Sequence, residues 1–284
     1  MRLILLLLMM TCYVQQHQLF ISAFILPPSL VSRKTHQPTS SSCSGNVVIN
    51  FDPATKRKTS AKLLSSSIIK ASPSGIDEWP LISQTLVFFG AYVALASASY
   101  PTIKLLETFS QFVVGLERWR IYVIDSTLPI LMGLVYLLGG IGHFVAAESF
   151  QDIYPPIGTW GIWYLPGSAA FHVAWTGVVE LLGGAGLIFS GIRDAIGSED
   201  GEEENNMLLI NFLKPICASV LFVLTIMVTP ANIYMFTHGA VMGDMAPLDV
   251  SFHYIRFAVQ VTFLTLLFTL ARDSFFYAWG DELD

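Results

Sequence analysis

Glu180 stands in an otherwise apolar run, Phe171 to Phe189 (FHVAWTGVVELLGGAGLIF), long enough to cross a bilayer. A carboxyl group in mid-span costs roughly 2.5 to 3.5 kcal/mol on insertion scales, so it must face protein or a water-filled cavity, where it can exchange a proton or hold a ligand. His172, Thr176 and Glu180 recur every fourth residue and share one helical face. Gly183 continues that face as bare backbone open to a second helix. Four other polar residues interrupt apolar segments: His143, Asn232 just after Pro230, Arg256, and Gln260 one turn beyond Arg256. The set suits hydrogen bonding to a small polar ligand or a proton path. Haem or metal ligation by His143 and His172 has no ligand-spacing motif behind it, and no metal site is expected.

The elements that position these residues are membrane helices. The chain has 284 residues, 53% hydrophobic and 13% charged, with a mean hydropathy of +0.59. A soluble domain carries about a quarter charged residues, so composition places this chain in a membrane. Leu81 to Tyr100 is a first candidate span, and residues 101–120 place Leu105, Phe109, Phe112, Leu116 and Trp119 on one face, as an amphipathic helix lying along the membrane surface would. Four stronger spans follow: Ile121 to Ala147, Ser168 to Ile192, Pro215 to Phe236 and Phe252 to Arg272. Short connections make sequential spans antiparallel. The expected fold is an all-α membrane protein, an antiparallel four-helix transmembrane bundle over 121–284 with an additional N-terminal transmembrane helix within 77–120.

Lys104, Arg118, Arg120, Arg193, Lys214 and Arg272 fall at one set of span ends, while 148–167 and 237–251 carry no Lys or Arg. The basic end is the cytoplasm-like one. The acidic run Ser198 to Glu204 reads as a solvated loop. LLGGIG at 137–142 and LLGGAG at 181–186 read as close-packing surfaces, at different depths because their helices run in opposite directions. This topology gathers His143, His172, Asn232 and Arg256 at one mouth of the bundle, with Glu180 and Gln260 one or two turns deeper. The loop QDIYPPIGTWGIWYLPG is a lid rich in Trp and Tyr. His238 and His253 read as interfacial.

Two readings of the polar cluster stand side by side. In one it is interhelical glue, with Glu180 satisfied by Arg256 or a neutral side chain and Asn232 closing the backbone gap near Pro230. In the other it is a pocket for a small ligand or quinone entered from the Lys/Arg-free side.

The N-terminus carries separate information. Arg2 followed by LILLLLMM, with Ala23 as a cleavage position, reads as a signal peptide over 1–23. Residues 24–76 are Ser/Thr-rich and transit-peptide-like, and within 1–76 eight basic side chains face the single acid Asp52. The junction Ser22-Ala23-Phe24 resembles the bipartite presequences that carry proteins into the complex plastids of diatoms and related algae. That resemblance implies a plastid membrane, envelope or thylakoid; without it the chain would stay in a secretory-pathway membrane. Only Cys217 lies beyond the presequence, inside an apolar segment, so no disulfide is expected.

GGIGHF at 139–144, VVELLGGAGLIF, PANIYM at 230–235, and Arg256 with Gln260 occur in the order seen in DoxX-like membrane proteins, which the chain resembles over about 131–272. The resemblance implies a four-helix membrane bundle. It also implies one of two roles: an accessory subunit of a quinone-linked redox complex, or a non-catalytic assembly or scaffold factor for client membrane proteins. Under the first, Glu180, His143 and Arg256 position a quinone head or a proton path. The residues alone leave the cofactor unassigned, with quinone the candidate. A small-solute carrier is a third reading, without the paired broken helices such proteins use. No independent catalytic activity is expected. The bilayer is the partner that composition implies, and nothing points to nucleic acid.

Overall fold

A computed structural model describes residues 72–196, 204–243 and 245–280. The signal-peptide and transit-peptide expectations fall outside these residues except for 72–76, and so does nearly all of the acidic run at 198–204. The described residues are all-helical, without strands. Eight α-helices follow one another: α1 Leu81–Phe109, α2 Leu116–Trp119, α3 Leu128–Val145, α4 Ala147–Asp152, α5 Ala169–Ile196, α6 Glu204–Met227, α7 Thr229–His238 and α8 Val250–Gly280. Five stretches are long and apolar enough to cross a membrane: Leu81–Phe112, Leu116–Val145, Ala169–Ile196, Asn211–His238 and Val250–Ala278. The chain is an integral membrane protein. Its large exposed side chains, such as Ile82, Phe89, Leu105, Leu182 and Phe189, form an outer surface suited to lipid.

Helix α1 departs from the sequence reading. It was expected to stop at Tyr100 and give way to a surface helix, yet it runs on through Pro101 to Phe109. Proline removes one backbone bond, to the Ser97 carbonyl, and a helix in an apolar setting survives that loss because all its other backbone groups still bond within it. The amphipathic stretch is divided instead. Its first half completes α1, and its second half, beyond Gly115 at φ 81°, opens the next span.

Prolines also shape the two core helices that carry site residues. Pro129 cannot bond the Asp125 carbonyl, and the preceding residues Arg120–Thr127 form a wide π-helical turn. Pro230 likewise cannot bond the Ile226 carbonyl, and the fourth span breaks between α6 and α7 at Val228.

Packing of α3 against α5 depends on glycine. A Cβ on Gly133 would lie 2.6 Å from the Gly184 carbonyl oxygen, and one on Gly140 would lie 2.8 Å from that of Gly177. As numbers rise along α3 they fall along α5, so the GGIG and GGAG strips sit at different depths. Each meets a lone glycine of the other helix. Gly183 and Gly186 turn to α6, against Leu221 and Cys217. In lipid the drive to associate is close van der Waals contact rather than removal of apolar surface from water, which is why bare backbone is placed at these contacts. Met132, Leu187, Leu221, Leu267 and Leu270 fill the centre among α3, α5, α6 and α8. Tyr136 against Phe263 joins α3 to α8.

The basic residues meet at one end. Lys214 Nζ bonds Asp194 (2.6 Å) and Asp125 (3.1 Å). Arg272 pairs with Glu107 and Asp273, and Arg120 lies over the Tyr277 ring. The polar cluster of interest occupies the opposite end.

Candidate functional site

Every one of the six sequence-derived candidates, Glu180, His143, His172, Asn232, Arg256 and Gln260, lines a single cavity of about 240 Å³. Aromatic residues make up much of the rest: Tyr136, Phe150, Tyr154, Trp163, Trp175 and Phe263.

His143 is in the last turn of α3. Its Nδ1 lies 2.9 Å from the Val173 carbonyl oxygen, which can only accept, so Nδ1 carries the proton and donates. In the neutral ring Nε2 is then an acceptor, and it faces Glu180 Oε2 at 3.7 Å. That gap is longer than a hydrogen bond and too short to admit a bridging water. Glu180 Oε2 has no hydrogen-bond partner. Room for the carboxyl group comes from Gly139, where a Cβ would stand 3.0 Å from Oε2. The pair is electrically neutral when it holds one proton besides that on Nδ1, on either member.

Arg256, one and a half turns into α8, is one of the two partners that the interhelical reading offers Glu180, the other being a neutral side chain. It forms no such pair: among the described residues no carboxylate reaches ion-pair distance of the guanidinium. Its Nη2 donates to Asn232 Oδ1 (2.5 Å), its Nη1 lies 2.7 Å from Met235 Sδ, and its Nε is buried without a partner. Asn232 Nδ2 in turn donates to Gln260 Oε1 (3.2 Å). Gln260 Nε2 donates to Thr229 Oγ1 (2.6 Å) and the Thr225 carbonyl (3.1 Å). Asn232 therefore does not close the gap left by Pro230, because its amide is committed to Arg256 and Gln260. The Thr225 carbonyl is taken by Gln260, and the Ile226 carbonyl by the Tyr92 hydroxyl at 3.5 Å. All donors in this chain point away from Arg256, fixing it in place while leaving its charge uncompensated.

His172 plays a different part from the one expected. Ser168 Oγ accepts from the Phe171 N–H and opens α5, setting His172 in the first turn. Nε2 donates to the Pro166 carbonyl (2.9 Å) and Nδ1 accepts from Trp175 Nε1 (3.0 Å), so both ring nitrogens are occupied. Gly167, at φ 108°, is required here, since a Cβ would lie 2.9 Å from His172 Nε2. The imidazole stacks on Tyr154 at 5.0 Å and clasps the lid.

The lid is held from the other side by Trp160, which is fully buried. Its Nε1 donates to Thr237 Oγ1, its carbonyl accepts from Thr85, and its ring packs on Phe88. A bulky residue at φ 55° is strained, and these contacts on α1 and α7 hold it there. Tyr154 and Trp163 are thereby turned to the cavity. Burial pushes the Tyr154 phenol above its ordinary value, with the Trp163 indole acting against the shift, although neither polar atom reaches hydrogen-bond geometry.

Four residues that line the chamber thus each carry a buried polar atom without a partner: Glu180 Oε2, Arg256 Nε, Tyr154 Oη and Trp163 Nε1. Buried polar groups are nearly always satisfied, so such a set calls for a ligand or ordered water. Sequence reasoning overlooked Tyr136, Gly139, Trp175 and Thr225. Tyr136 and Gly139 were detectable, lying seven and four residues before His143 on its helical face. Comparison with family models, curated proteins and solved structures finds no match to this chain. Function must be argued from the chamber itself.

Proposed function

We propose that this chain is a DoxX-like accessory membrane protein that holds the head of a quinone in the chamber, with an antiparallel four-helix core formed by the last four spans. The observation that carries the reading is the set of four unpartnered buried polar atoms around an aromatic cavity. Arg256, Trp163 and Tyr154 supply donors and suit a carbonyl oxygen. Glu180 and His143 face the same space and suit the second oxygen of the ring, as proton donor to a carbonyl or acceptor from a quinol hydroxyl. Aromatic walls match a flat conjugated ring. Reduction of a quinone takes up two protons, and Glu180 with His143 is where this chain would hand over one; the electrons belong to a partner redox complex. Plastid residence, directed by Phe24 after signal cleavage, is part of the same proposal.

The test is to purify the full chain from its native membrane in a mild detergent and quantify bound quinone. About one equivalent is expected with the native chain and a large loss with Glu180→Gln. Absence of quinone from the native chain, together with full function of Glu180→Gln in the membrane, would sink this reading in favour of an assembly or scaffold role.

A further inference from the structure

A second cavity, of about 280 Å³, lies beside the chamber, between α1, α7 and α8. Ala91 and Ala94 of α1, Phe236 of α7 and Phe257 of α8 make its walls overwhelmingly apolar. Asn232, Arg256 and Gln260 line both cavities, so the hydrogen-bonded row that fixes the arginine is a common boundary. Tyr254, two-thirds exposed, stands at the rim, which opens on the lipid-facing side of α1 and α8. Helix α1 is the least buried of the five spans, and two alanines at the contact leave a gap where larger side chains would have closed it.

We infer that this second cavity receives the apolar tail of the ligand whose head occupies the chamber. The inference rests on the quinone reading above. Drug-sized ligands fill pockets of about 300 to 1,000 Å³, so a chamber of about 240 Å³ takes a substituted ring but not a long chain as well. An attached chain must leave the chamber, and the adjoining apolar space, open to lipid and bounded by the residues that hold the head, is where it fits. Entry is then lateral, between α1 and α8, and α1 has a function: it converts a head-group site into one selective for long-tailed, membrane-resident ligands.

The experiment uses the full chain in nanodiscs, with empty nanodiscs as reference, and two probes: a tail-less benzoquinone and the same ring bearing a decyl chain. The native chain should bind the decyl form about tenfold or more tightly after partition into empty nanodiscs is subtracted, since fixed apolar walls give the chain close van der Waals contacts that fluid lipid does not. Ala94→Trp should erase that advantage and leave the affinity for the tail-less ring unchanged, which also demonstrates that the variant is folded. Equal binding of both probes by the native chain overturns the tail chamber while leaving the head site standing. Binding of neither overturns the quinone reading, and this inference with it. A photoreactive group at the end of the decyl chain gives a readout independent of the variant: labelling within 91–95 or 254–257 supports the assignment, and labelling confined elsewhere overturns it.

Discussion

Asn232 Oδ1 accepts a 2.5 Å hydrogen bond from Arg256 Nη2, so the guanidinium of a half-buried arginine in a membrane span is held by a neutral amide where a carboxylate would ordinarily be found. An amide orients the cation without cancelling its charge. Asn232→Asp should therefore weaken ligand retention by compensating Arg256, while the protein stays folded. Asn232→Leu should cost about 1 to 3 kcal/mol of stability, because it strands both Arg256 and the Gln260 carbonyl oxygen. Thermal unfolding in detergent, paired with the bound-ligand assay, separates the two. An Asn232→Asp variant that retains ligand as the native chain does would show that the uncompensated charge is not used in binding.

Because no ion pair joins Glu180 to Arg256, the two should behave as independent sites in unfolding of the ligand-free protein. Removing either charge with Gln removes an unpaired buried group, and the double variant should show the sum of the single effects within about 0.3 to 0.5 kcal/mol. Had the two been paired, the second substitution would have relieved the first. A coupling well above that range would place the groups in contact in the membrane-embedded protein.

The membrane class and the meeting of six polar residues were legible in the sequence because both follow from simple periodicities. Apolar length fixes spans, and antiparallel succession brings the end of one helix beside the start of the next, as with His143 and His172. Partner choice was not legible. Whether Arg256 turns to Glu180 or to Asn232 depends on side-chain torsions and on the helix break at Val228, which spacing along the chain does not encode. The same break freed the Thr225 carbonyl for Gln260, a long-range contact with no local signal. The continuation of α1 beyond Tyr100, through Pro101, was not legible either. Proline's helix-breaking tendency is a property of short helices in water, and apolar surroundings override it by penalising every exposed backbone group.

Two glycine substitutions distinguish packing glycines from spacers. Gly140→Ala puts a methyl group 2.8 Å from the Gly177 carbonyl oxygen and the Leu181 amide nitrogen, backbone atoms that cannot rotate away. Forcing α3 from α5 should cost about 1 to 3 kcal/mol. It should also widen the gap between His143 and Glu180, which lie three residues beyond Gly140 and three beyond Gly177. Gly90→Ala in α1 meets nothing within 4 Å and should be neutral or stabilising by up to about 1 kcal/mol through helix propensity. Melting temperatures of the two variants in one detergent check this, and equal effects would contradict the packing described for α3 and α5.

The Asp249 cap at the start of α8, the helix that carries Arg256, should be lost only in acid. Asp249 accepts bonds from the Ser251 amide (2.9 Å) and hydroxyl (2.7 Å), and these hold its carboxyl below the ordinary aspartate value. A carboxyl group lowered by folding stabilises the folded state fully above its unfolded value, about 3.9, and loses that contribution as the pH falls through the lower folded value. Between pH 7 and 5 the contribution of Asp249 should thus be constant, with its loss confined to more acidic solution. Amide hydrogen exchange at 251–254, corrected for intrinsic rates, reads this directly. Asp249→Asn keeps an acceptor oxygen and should remove the Asp249 share of the acid dependence while preserving protection near neutrality. Asp249→Ala should lower protection at every pH. Acid-dependent exchange that is unchanged in Asp249→Asn would assign the effect to another group and remove Asp249 as the cap of α8.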